Sequence, residues 1–206
     1  MTGGQSGTVS RSAWLELREE LILVNDGYRF LDEKRIMLAA EMLRQRDTYR
    51  QARDAFAKLC DSARSALVDA AADLGLDGLQ VYPAVELDDA RVEIDERPSV
   101  GLRMLDAQLL TGEIPAAREP ILPSPAARAC AAKYREVLAA GAQLAALAAN
   151  LQRLIHEYRR TERRVRALEN VVLPEIREDL AMMEEHLDLV EQEEVIRVRT
   201  ARGTPW

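Results

Sequence analysis

Trp14-Leu15-Glu16-Leu17-Arg18-Glu19-Glu20-Leu21-Ile22-Leu23-Val24 opens the pattern that decides the fold class. The series continues through Tyr28, Leu31, Arg35, Leu38, Met42, Gln45, Tyr49, Ala52, Phe56, Leu59, Ala63, Ala66 and Ala70. Its steps alternate between three and four residues without a break, and only Arg35 and Gln45 are polar. That is the heptad spacing of a helix lying along a partner helix. Ser10 suits the N-cap position. Gly27 is the one weak helix former inside the run, and a close helix–helix approach is the expected reason for it, a hinge being the alternative. A helix of some 60 residues is roughly 90 Å long and needs a partner along its apolar stripe.

Working outward, Gly75, Gly78 and Pro83 are expected to end this first long helix, giving it residues 10–74. Residues 75–125 change character. Leu79–Leu87 and Arg91–Asp95 carry short alternating β-branched stretches, Pro98-Ser99-Val100-Gly101 reads as a turn, and Leu102–Leu105 as a returning strand. Pro115, Pro120, Pro123 and Pro125 read as an extended linker, so this segment is a small hairpin and loop. A second long helix is expected over 126–199. Its stripe runs Leu144, Leu147, Leu151, Leu154, Tyr158, Thr161, Val165, Leu168, Val172, Ile176, Leu180, Met183, Leu187 and Val190. Three successive steps of four, from Leu168 to Leu180, depart from the heptad and should locally unwind a supercoil. Pro174 lies in the same stretch and should kink or restart the helix. Residues 1–9, rich in Gly, Ser and Thr, read as disordered, and 200–206 as a tail. Two helices of similar length, joined by a compact segment, cover each other only by folding back. The expected fold is therefore all-α dominated: a long antiparallel two-helix coiled coil with a small central β-hairpin.

Composition narrows the function. The 206 residues are 48% hydrophobic but only 4% aromatic, and 31% are charged, which suits long amphipathic helices better than a sheet-based enzyme. No apolar run approaches the roughly 18 residues of a membrane span, and no secretory signal pattern opens the chain. The net charge of −7 is concentrated centrally: residues 75–125 carry 4 basic and 10 acidic side chains, while the flanks are near neutral. A nucleic-acid partner would call for the opposite bias. Cys60 and Cys130 are too few for a disulfide framework and read as packed, reduced thiols. His156-Glu157 lacks a second His four residues on, so His156 and His186 read as surface residues and no metal is expected. No phosphate-cradling GxxxxGK[ST] occurs, no nucleophile–base pairing can be drawn, and no cofactor is expected.

One C-terminal motif is more specific. Arg163-Arg164-Val165-Arg166-Ala167-Leu168-Glu169-Asn170-Val171-Val172-Leu173-Pro174 resembles a segment of the D subunit, the central rotor shaft, of the V/A-type rotary ATPases. The acidic run from Ile176 to Arg199, ending Val195-Ile196-Arg197-Val198-Arg199, is similar to that family's tail. Leu17, Leu21, Gly27, Leu31, Lys34, Arg35 and Leu38 match the pattern of its first helix. The resemblance implies a non-catalytic shaft inside a hexamer of alternating catalytic (A) and regulatory (B) subunits. Its rotation would couple ATP hydrolysis or synthesis to ion movement through a membrane ring. It implies a small stalk partner, the F subunit, and a funnel-shaped partner that docks on the ring. It also implies a cytoplasmic position, peripheral to the membrane and without insertion. The alternative is a free-standing antiparallel coiled-coil adaptor or scaffold.

The charges fall in zones that a partner could read. Residues 175–194 hold nine acids and one base, Arg177, with Glu184 and Glu185 central among them. Residues 14–33 hold six acids and two bases. Neighbouring helices of like charge must turn these groups outward. Arg197, Arg199 and Arg202 are expected to form a basic tip with Arg11. Arg153, Arg159, Arg160, Arg163, Arg164 and Arg166 form a basic belt against Glu157 and Glu162. These residues are the candidate partner contacts, the bland reading being solvated helix faces.

Overall fold

The computed structural model describes residues 10–82, 90–110 and 123–203. Helix α1 spans Arg11–Val81, strands β1 and β2 span Arg91–Ser99 and Leu102–Leu110, and helix α2 spans Pro125–Ala167. A π-helical turn, Leu168–Val172, leads directly into helix α3, Leu173–Arg202. The long helices are those that the heptad spacing calls for, and the central hairpin lies where the alternating stretches and the turn residues place it. The chain divides into two compact units, Met1–Ile36 with Tyr158–Trp206, and Met37–Glu157.

In the first unit, Ser10 caps α1 as expected: its hydroxyl accepts the Ala13 N–H at 3.2 Å, and its carbonyl accepts that of Trp14 at 3.0 Å. Arg11 reaches Glu191 at 3.0 Å, so the start of α1 lies beside the end of α3. That contact is the mark of an antiparallel pair. In the second unit the same sense is set by three contacts. Phe56 faces Gly141, with its ring 3.5 Å from where a Cβ would sit. Ala70 packs with Ala127 and Cys130. Asp73 accepts a 2.6 Å bond from the hydroxyl of Ser124, which in turn caps α2 by accepting the Ala127 N–H at 3.1 Å.

The heptad positions are the covered face. All seventeen positions from Trp14 to Ala70 are buried or half-buried, Arg35 and Gln45 included. Arg35 meets Asp32 at 2.6 Å and Gln45 donates its amide N–H to Glu41 at 2.9 Å, while the buried Gln45 Oε1 has no hydrogen-bond partner among the described residues. Of the fourteen stripe positions on the C-terminal run, Val190 alone is exposed. Leu38, Leu154 and Val165 are fully buried.

Several expectations change in detail. Gly75 does interrupt α1, with φ 72° and ψ 168°, a conformation that only glycine adopts cheaply. The chain then resumes helical form through Val81, so Leu79–Val81 is helical and not strand-like, while residues 83–89 lie outside the described residues. Pro125 is no linker residue: it opens α2 directly after its Ser124 cap, where a missing N–H costs nothing. Pro115 and Pro120 lie outside the described residues, as do residues 1–9. Gly27 has nothing within 4 Å of a Cβ built on it, so the close approach expected there is absent. That contact belongs to Gly141.

The steps of four are answered by the π-helical turn. Leu173 N–H bonds to Leu168 O, five residues back. Twelve residues of α-helix from Leu168 to Leu180 would carry the stripe roughly 120° past three full turns. One extra residue in a widened turn absorbs about 100° of that drift. Leu168, Val172, Ile176 and Leu180 therefore all stay on the covered side. Pro174 follows in the first turn of α3, so the helix restarts at the proline and is not broken by it.

Candidate partner-contact site

The hairpin turns in two residues, Val100 and Gly101, with φ of 49° and 75°. Positive φ at both positions matches the right-handed twist of the strands. The turn is tighter than the four-residue reading, and the strands are longer, because Pro98 and Ser99 join the ladder. Pro98 stands opposite Arg103, at a pair whose main-chain groups point away from the partner strand, so its missing N–H removes no ladder bond. Arg97 meets Asp106 at 2.6 Å and Arg103 meets Glu96 at 3.1 Å across the strands. β1 is exposed from Arg91 to Pro98, whereas Met104 and Ala107 of β2 are buried.

What holds β2 is a residue that the sequence reading missed. Asn150 of α2 is 2% exposed. Its carboxamide oxygen accepts the Leu105 N–H at 2.7 Å, and its amide nitrogen donates to the Leu105 carbonyl at 2.7 Å. One turn on, Arg153 donates to the Arg103 carbonyl at 2.9 Å. Arg153 is therefore a hairpin anchor and leaves the basic belt to which its sequence position assigned it. The available signal was composition: Asn150 is the one polar residue between Leu144 and Leu151, its neighbours there all being alanine or leucine.

The other belt arginines, Arg159, Arg160, Arg163, Arg164 and Arg166, are all exposed. At about 100° per residue, their common direction lies opposite that of the covered Tyr158, Thr161 and Val165. The belt is thus one outward helix face. Arg163 donates to the Arg159 carbonyl at 3.3 Å, and Arg166 meets Glu162 at 2.7 Å. Both interactions are local to the helix and leave the guanidinium surface open to a partner.

All nine acids of 175–194, Glu184 and Glu185 among them, are exposed. Across 14–33 the exception is Asp32, half-buried beside Arg35. At the tip, Arg11 pairs with Glu191 and Arg197 lies 3.7 Å from Glu193, while Arg199 and Arg202 are exposed in the last turn of α3. Arg11 and Arg197 each face an acid, so the tip is a mixed patch and not the basic one expected. His156 and His186 are exposed. Cys60 and Cys130 are both free thiols, and burial pushes the Cys130 thiol above its ordinary range.

Comparison with known proteins places these features in a family. The model of the ATP synthase D subunit matches residues 13–203, both helical runs and the hairpin together. The chain belongs to the ATP synthase D-subunit family. It is similar to the D subunit of the V-type ATP synthase of Thermotoga neapolitana, 24% identical over 190 residues, covering 92% of this chain and 94% of that one. It is 29% identical over 202 residues to the D subunit of the A-type ATP synthase of Pyrococcus furiosus, covering 94% and 92%. The corresponding protein of Desulfurococcus sp. is 27% identical over 201 residues, with the same coverage.

Proposed function

We propose that this chain is the central stalk of a V/A-type ATP synthase and turns within it as a shaft. Membership of the D-subunit family over residues 13–203 carries this reading. The free-standing adaptor is not favoured by it. The work of such a protein is mechanical: helices in heptad contact resist bending and carry torque between a nucleotide-driven hexamer and an ion-translocating ring. Among the described residues no helix is long and apolar enough to cross a membrane, so the chain would meet the ring through a docking partner.

The finer assignments follow from the surfaces. The exposed belt of Arg159, Arg160, Arg163, Arg164 and Arg166, the acidic face around Glu184 and Glu185, and the tip residues Arg11, Arg197, Arg199 and Arg202 would face the A and B subunits. Exposed ion pairs are worth about 0–1 kcal/mol each. A bearing made of them holds the shaft without trapping it at any one of several equivalent angles. The small F subunit and the funnel-shaped docking partner would take other faces, and the assembly would sit on the cytoplasmic side of the membrane. Co-expression with the A and B subunits, followed by native mass measurement, tests the reading. A single copy retained in a particle with a hexamer of alternating A and B supports it. A chain that purifies apart from that hexamer overturns it.

A further inference from the structure

A hairpin held to a helix through apolar contacts alone can slide, since such contacts have no direction. Hydrogen bonds do not slide. At Leu105 the main-chain N–H and C=O point away from β1, toward the side where a third strand would lie. No third strand exists among the described residues. The Asn150 carboxamide stands in its place, offering one acceptor and one donor in the spacing of a peptide group, each at 2.7 Å. Its burial excludes competing water, and a shift of the hairpin by one residue would strand both halves of the amide. Arg153 adds a further bond to the same edge at Arg103.

We propose that Asn150 is a positioning residue that fixes the register of the β-hairpin on α2, so that load applied to the hairpin passes into the helix without slippage. This rests on the shaft reading for its consequence, but not for its geometry. Arg153 steadies the same edge from its exposed side. The charged pairs Arg97–Asp106 and Arg103–Glu96 then stiffen the hairpin internally, leaving β1 free to face whatever it pushes against.

Hydrogen exchange on the unaltered full chain gives the first test and needs no variant. The Leu105 amide should exchange as slowly as the laddered amides of Met104 and Asp106, and much more slowly than that of Arg103, which is equally outward-facing. Asn150→Leu should then speed exchange at Leu105 by about tenfold or more while Met104 and Asp106 keep their protection. In the assembled complex the same variant should lower the maximal ATP hydrolysis rate by about twofold or more per particle, with KM for ATP unchanged. An unstable chain would reduce the yield of particles and leave the rate of each one alone. Fast Leu105 exchange in the unaltered chain overturns the inference, as does an Asn150→Leu particle that turns over at the full rate. Failure to assemble at all, in the unaltered protein, would overturn the shaft reading and leave the exchange result standing by itself.

Discussion

Gly27 and Gly75 lie in the same helix and should respond to alanine in opposite senses. Gly27 has helical geometry and open space where a methyl would go, so its only effect on the fold is the backbone entropy it adds to the unfolded chain. Gly27→Ala should stabilise the protein by about 1 kcal/mol. Gly75→Ala would force a Cβ into φ 72°, ψ 168° and should cost about 1–3 kcal/mol. Urea midpoints followed by circular dichroism measure both, and a destabilised Gly27→Ala would contradict the open space at that site. Cys130 makes a pH prediction. Its thiol is pushed up by burial, so the fold favours the neutral form. The stabilisation is complete below the ordinary thiol pKa and is lost as pH rises through the folded-state value. Unfolding midpoints measured between about pH 7 and pH 10 should fall more steeply in the unaltered chain than in Cys130→Ala. At neutral pH, half-buried Cys60 should alkylate before Cys130, which mass spectrometry of limited digests would show.

At the scale of elements the π-helical turn makes the strongest claim, because it states what one residue does to everything after it. Deleting Val171, which is exposed, should close Leu168–Val172 to an ordinary α-turn without removing a core side chain. The extra residue that the turn absorbs would then be gone, so Ile176, Leu180 and Met183 should stay on the covered face. Deleting exposed Asp179, in the regular helix beyond, should instead rotate everything after it by about 100° and carry Leu180, Met183 and Leu187 off that face. The expected outcome is near-parental cooperative melting for the Val171 deletion and a clear loss of it for the Asp179 deletion. Equal melting of the two deletions would mean that the turn has no register role. Part of this was legible beforehand: three consecutive steps of four marked where the heptad is left, though not the widened turn that restores the register, and the alternating steps from Trp14 to Ala70 marked a face that is covered at every position. The full strand length was not legible, because the alternation of Val92 and Ile94 stops at Glu96-Arg97-Pro98 and β1 has no buried face to extend it. Asn150 was missed since its partners are main-chain atoms of Leu105, 45 residues away, and a peptide group leaves no residue-type signature.

Along the C-terminal helical run, charge of both signs is kept outward in separate stretches, so the net −7 is a poor guide to what a partner meets. At physiological ionic strength, charges are screened beyond about 8 Å, which is shorter than either zone. A neighbouring protein therefore reads the arginine face and the acidic face separately. Arg153 must be left out of any test of the arginine face, because altering it would loosen the hairpin and confuse positioning with contact. Reversing Arg159, Arg160, Arg163, Arg164 and Arg166 together leaves the covered stripe untouched, and the melting temperature of the chain should move little. In the complex, the reversal should weaken retention with the A and B subunits and lower ATP hydrolysis, more so at about 50 mM salt than at about 500 mM. Gel filtration at the two salt concentrations, with hydrolysis measured on the same fractions, gives both readouts. If assembly and turnover match the unaltered complex at both salts, these arginines are solvated helix surface and the bearing contacts lie on another face. A loss that does not respond to salt would instead mark close-packed contacts, in which the shape of the guanidinium matters more than its charge.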